Sequence, residues 1–104
     1  MSVVVVATIS PLPDAREVVR EAIQRAVPRV HAEPGCELYA LHEAQDGTFV
    51  VIERWESPEA LATHSKGEAL RDLGADLRGK VTGPPALSGL LTPVPAGEAG
   101  KGAL

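Results

Sequence analysis

The order of elements along the chain predicts an α+β fold of the ferredoxin-like βαββαβ type: one antiparallel sheet with its helices on a single side. Three observations carry that reading. A β-branched run opens the chain, a helical-period stretch follows it, and two strand-like stretches then flank Asp46-Gly47. A second helical region and a short apolar stretch complete the order.

The first strand is Val3-Val4-Val5-Val6-Ala7-Thr8-Ile9, bounded by Pro11 and Pro13. It is apolar at successive positions, as a strand buried on both faces must be. Asp14 followed by Glu17 reads as a helix start. From there Ala15, Val18, Val19, Ala22, Ile23, Ala26, Val27 and Val30 form one apolar stripe, with Arg16, Glu17, Arg20, Glu21, Gln24 and Arg25 opposite. Pro28 lacks the N–H that a helix interior uses, so a kink or break is expected near Val27 and a stop at Pro34-Gly35.

Cys36 to Gln45 and Thr48 to Glu56 read as a hairpin, and Asp46-Gly47 favours a two-residue type I′ turn. Counting outward from that turn sets Ala44 against Phe49, His42 against Val51, Ala40 against Glu53 and Leu38 against Trp55, all on one face. Tyr39 then faces Arg54 on the other. Ser57 is the expected cap, and Pro58 the first residue, of a short helix that turns Ala60, Leu61 and His64 inward. Ser65-Lys66-Gly67-Glu68 matches a capping box, so a second helix with Leu70, Leu73 and Leu77 on its apolar face should run to a stop at Gly79. Ala86 to Val94 is the last strand. The domain is therefore expected over residues 1–94, with 95–104 a flexible Gly/Ala/Pro-rich tail.

A sheet of this type leaves one face without helices, yet the strands are apolar on both faces. A second copy packed sheet to sheet is the expected cover, making a homodimer. The 104 residues suit one domain with a modest core, burying roughly 65% of the unfolded surface. A net charge of −4 comes from residues 36–56, where five acids face Arg54 alone. No basic stripe with interleaved aromatics exists, so neither nucleic acid nor an anionic membrane is an expected partner. The longest apolar run is five residues, against the ~20 a spanning helix needs. With no basic leader and a single cysteine, Cys36, the cytoplasm is the expected location.

Three polar side chains stand out against their apolar settings, and three large apolar ones beside them complete the candidate set. His64 points inward beside Leu61, where an imidazole titrating near neutrality could take a proton from a phenolic hydroxyl, or could simply bond a backbone carbonyl. Glu53 sits between Val51 and Trp55 and needs a partner if buried; it would either orient His64 and stabilise the imidazolium, or bridge two subunits. Trp55, the sole tryptophan, is core filler or a wall for a planar aromatic ligand. His42 and Phe49 share the expected Glu53 face, and with Leu61 they complete the candidate substrate-binding set. His42, His64 and Glu53 have the inventory of a two-histidine, one-carboxylate metal site but not its spacing, so no metal is expected.

Several short motifs together carry a family resemblance: Glu33-Pro34-Gly35-Cys36, Leu38-Tyr39, Glu53-Arg54-Trp55-Glu56-Ser57, and Ala60-Leu61 with His64. Over about residues 3–94 the chain resembles the antibiotic biosynthesis monooxygenase family, whose members form dimeric α+β barrels. Its Trp55 and His64 pattern is similar to the group named quinol monooxygenases. The resemblance implies a monooxygenase without cofactor that oxidises a small phenolic or hydroquinone-type aromatic with dioxygen. His64 and Glu53 would be catalytic, and Trp55, His42, Phe49 and Leu61 would bind substrate. Residues 72–76, Asp-Leu-Gly-Ala-Asp, lack the histidine of the family's haem-degrading branch, and the chain has none of the asparagines that the anthrone oxygenases use. Two other readings stand beside it: an isomerase with His64 as proton shuttle, and a non-catalytic or stress-associated protein that sequesters an aromatic metabolite.

Overall fold

A computed structural model describes residues 1–104. Seven elements follow in the expected order: β1 (Val3–Ile9), α1 (Arg16–His31), β2 (Cys36–Glu43), β3 (Phe49–Trp55), α2 (Pro58–Ser65), α3 (Glu68–Leu77) and β4 (Ala86–Leu91). The second helical region is thus two helices, α2 and α3. The strands form one sheet ordered β2-β3-β1-β4, with every neighbour antiparallel. This is the predicted ferredoxin-like α+β arrangement.

Alternation along β1 and β3 divides the sheet into two faces. Val3, Ala7 and Ile9 with Phe49, Val51 and Trp55 join Val19, Ile23, Val30, Leu73 and Leu77 of the helices in a single core. The opposite face carries Val4, Val6, Thr8, Val50, Ile52 and Arg54. On β4 the side chains are exposed, Leu87 and Leu90 among them.

The hairpin register differs from the expected one by a single residue. Glu43 pairs with Phe49, Leu41 with Val51 and Tyr39 with Glu53. The cause is a three-residue loop in place of two. The Gly47 N–H donates to the Ala44 carbonyl at 3.1 Å, and the Ala44 N–H donates to the Thr48 carbonyl at 2.9 Å. Gly47 has φ +94°, so it fills the left-handed position that follows a type I turn. The Asp46 carboxylate favours this loop by accepting from the Thr48 N–H at 3.0 Å and the Thr48 hydroxyl at 2.7 Å. A one-residue slip moves every side chain of a strand to the other face. Tyr39 therefore enters the core, while His42 leaves the Glu53 face and is exposed. The expected Tyr39–Arg54 pair is replaced by Arg54 Nε on Glu37 at 3.0 Å.

Pro28 does not break α1, which continues to His31. The carbonyl it deprives of a donor belongs to Gln24; both residues are exposed, so water can replace the missing N–H. Asp14 does not cap this helix; Ala15 holds the cap position without a side-chain bond. The Ser65 capping box does not form either. Ser65 ends α2 with its hydroxyl on the Leu61 carbonyl at 3.0 Å, and Gly67 stands at the start of α3. The last strand stops at Leu91, and residues 95–104 hold no helix or strand.

Candidate active site

His64 is placed by the way α2 begins. The Ser57 hydroxyl accepts the Ala60 N–H at 3.1 Å and Pro58 takes the first helical position, which fixes where the next turn points. His64 is the buried residue of α2, 4% exposed. Its ring stacks on the indole of Trp55 at the end of β3, with centroids 4.4 Å apart and planes at 29°. The Tyr39 ring meets it edge-on at 5.6 Å.

Two carboxylates flank the imidazole. Nδ1 lies 2.7 Å from Glu33 Oε1, a hydrogen bond. Nε2 lies 3.8 Å from Glu53 Oε1, too long for one. That same Glu53 oxygen accepts the Trp55 Nε1–H at 2.9 Å. Glu53 is 5% exposed, and burial pushes its carboxyl above the usual range, against the opposing pull of the Trp55 N–H and of His64. Tyr39 is pushed up as well, by burial first and then by Glu53 and Glu33.

Glu33 reaches the ring from the turn after α1 because Gly35 lets that turn lie against α2. Gly35 has φ +83°, and a Cβ there would sit 2.6 Å from the Ala60 Cβ. Its carbonyl accepts the Glu56 N–H at 2.9 Å, tying the turn to the start of α2.

A cavity of about 550 Å³ opens between the sheet and helices α2 and α3. Val5, Ala7, Ile9 and Val51 line it from the sheet, Leu61, Leu70, Leu73 and Leu77 from the helices, and Tyr39, Glu53 and His64 add polar groups. Behind His64 lies a second cleft of about 330 Å³, walled by Arg29, Glu33, Thr63, Gly67 and Glu68. His64 thus stands between an apolar chamber and a polar opening.

The fold brings together His64, Glu53 and Leu61 of the sequence-predicted set. Trp55 backs the imidazole without lining the chamber. Phe49 is buried at the far end of β3, near the Arg20 guanidinium at 5.8 Å, and is no part of the chamber wall. His42 sits on the opposite face with Nδ1 on the Ala40 carbonyl at 3.1 Å, a correction that follows from the hairpin loop. The histidine that Glu53 was expected to orient is held by Glu33 instead. Sequence reasoning missed Glu33 and Tyr39; Glu33 lay inside the Glu33-Pro34-Gly35 motif, and Tyr39 was hidden by the register.

The antibiotic biosynthesis monooxygenase family model matches residues 2–75, from β1 through most of α3. The chain belongs to that family. Its relatives include a Mycobacterium tuberculosis protein named "Putative monooxygenase Rv0793", 40% identical over 63 residues that make up 60% of this chain and 62% of that protein. The solved structure of Rv0793 superposes with a TM-score of 0.81 at 33% identity, over 95% of this chain and 99% of that one. Protein PA3566 of Pseudomonas aeruginosa, at 24% identity and a TM-score of 0.79 over 88% and 93% of the two chains, shares the fold. The family model spans Glu33, Tyr39, Glu53 and His64, so the whole polar cluster lies inside the family domain.

Proposed function

We propose that this chain is a cofactor-independent monooxygenase acting on a small phenolic or hydroquinone-type aromatic, with His64 as the base. The observation that carries the reading is one imidazole at the polar end of a largely apolar chamber, with no hydrogen bond on its Nε2. A planar ligand fits between the valines of the sheet and the leucines of the helices, and its hydroxyl meets His64. Burial raises the Glu53 carboxyl above its usual range, which lessens its repulsion of a developing oxyanion.

The chemistry balances without a second reductant. Nε2 takes the hydroxyl proton, and the electron-rich anion passes electrons to dioxygen. A carbon–oxygen bond forms at a ring carbon bearing hydrogen, and the oxygen–oxygen bond breaks. One oxygen stays as a quinone carbonyl; the other leaves as water with the two hydrogens the substrate has lost. The substrate supplies all the electrons, so the protein's part is a dry cavity and a positioned base.

Oxygen uptake with menadiol, anthrone and catechol-type substrates, corrected for autoxidation, tests this directly. Enzyme-dependent uptake that His64→Ala abolishes is the expected result; uptake unchanged in that variant removes His64 from the mechanism. The same reading takes the working form as a homodimer, the second copy covering the helix-free sheet face. Light scattering that gives a monomer at micromolar concentration would contradict it.

A further inference from the structure

We propose that Glu33 is a positioning residue for His64: it holds the ring as the Nδ1–H tautomer and keeps Nε2 bare toward the chamber. The inference rests on the reading of His64 as a base only for its catalytic meaning; the geometry stands apart from it. At 2.7 Å, the Nδ1–Glu33 contact is attractive with one proton between the two atoms. The Glu33 side chain is 20% exposed and opens into the polar cleft beside Arg29, where an ionised carboxylate is solvated. The proton therefore belongs on the ring. Glu53 cannot take over this task. It lies on the Nε2 side at 3.8 Å, and its nearer oxygen is already engaged by the Trp55 N–H.

The surroundings of Glu33 keep its carboxylate on the imidazole. Its Oε2 lies against Gly67, where a Cβ would come within 3.2 Å of it. Gly67 N–H donates to the His64 carbonyl at 3.0 Å, so the same residue ties down the end of α2 and leaves room for the carboxylate. The ionisable groups around His64 are Glu33 from the turn after α1, Tyr39 from β2 and Glu53 from β3, with Arg29 of α1 and Glu68 of α3 across the cleft. Of these, Glu33 alone makes a hydrogen bond to the ring. Its carboxylate therefore sets which ring nitrogen carries the proton and how the ring is turned.

Long-range proton–nitrogen NMR of the His64 ring in the unliganded full chain reads this without any substrate. In the wild type, the neutral ring should carry its proton on Nδ1. Glu33→Gln loses the charge and can turn its amide N–H to the ring, and should cut the ratio of the Nδ1–H to the Nε2–H form about tenfold or more. Gly67→Ala keeps the charge but crowds Oε2, and should give a smaller drop in the same direction. A wild-type ring protonated on Nε2 would overturn the proposal, as would a folded Glu33→Gln protein with the tautomer ratio of the wild type. Should Glu33→Gln fail to fold, the wild-type tautomer and the Gly67→Ala tautomer ratio decide. If the ring behaves as expected but no variant consumes oxygen, the base reading fails while the positioning role stands. Where oxygen is consumed, kcat should fall in Glu33→Gln in step with the loss of the Nδ1–H form, with KM little changed.

Discussion

Two polar clusters sit at opposite ends of β3 and use similar groups to opposite effect. Near Phe49, Arg16 and Arg20 reach Glu43 at 2.6 and 2.8 Å, and Arg20 also pairs with Glu17. Near Trp55, Glu33 and Glu53 flank His64. The first cluster is partly exposed, and the arginines hold the Glu43 carboxyl below its ordinary value. The second is buried against indole and phenol rings, and Glu53 is pushed above it. Burial and the absence of a full counter-charge, more than residue type, separate the surface ion-pair network from the buried cluster.

Removing Trp55 should collapse the contrast with the largest effect. Trp55→Ala deletes a side chain that is fully buried, the face on which His64 stacks and the donor to Glu53. A loss of about 3–5 kcal/mol in a urea unfolding series is expected. Retention of wild-type stability would mean that the indole is not part of the packed core.

The two carboxylates should then respond to pH with opposite signs. Glu53 has a folded value raised above its ordinary 4.5, so its ionisation opposes folding as pH rises from 4.5 through the raised value. Glu53→Gln should therefore gain stability over the wild type across that rise, and match it below 4.5. Glu43 has a folded value lowered from 4.5, so its contribution is full above 4.5 and is lost as pH falls through the lowered value. Glu43→Gln should lose a little stability above 4.5 and nothing at lower pH. Urea midpoints between pH 3 and 7 for the three proteins check both signs. The smallest expected effect is that of salt: raising ionic strength should erase the Glu43→Gln difference and leave the Glu53→Gln difference in place.

How much of this was legible in the sequence varied with the kind of signal. The β-branched run of β1, the stripe of α1 apart from the exposed Val18, and the Ser57-Pro58 start of α2 are local patterns, and each formed as its own residues dictate. The inward aim of His64 followed from one of them. The hairpin register did not, because Asp46-Gly47 suits a two-residue and a three-residue loop alike, and the Asp46–Thr48 bonds that choose between them form only in the folded turn. That one ambiguity misplaced His42 and hid Tyr39. Glu33 was out of reach for another reason: 31 positions separate it from His64, and the contact depends on Gly35 letting two backbones meet. Pro28 misled because its cost depends on whether the orphaned carbonyl faces water, which composition does not encode.

The chemistry proposed for the chamber begins with deprotonation of a phenol. The direct measurement is the absorbance of a chromogenic naphthol bound without oxygen to the wild type and to His64→Ala, at a pH where the free naphthol is neutral. The prediction is a naphtholate spectrum in the wild-type complex and a neutral one in His64→Ala. A naphthol that stays neutral in both, or ionises equally in both, would contradict His64 as the base.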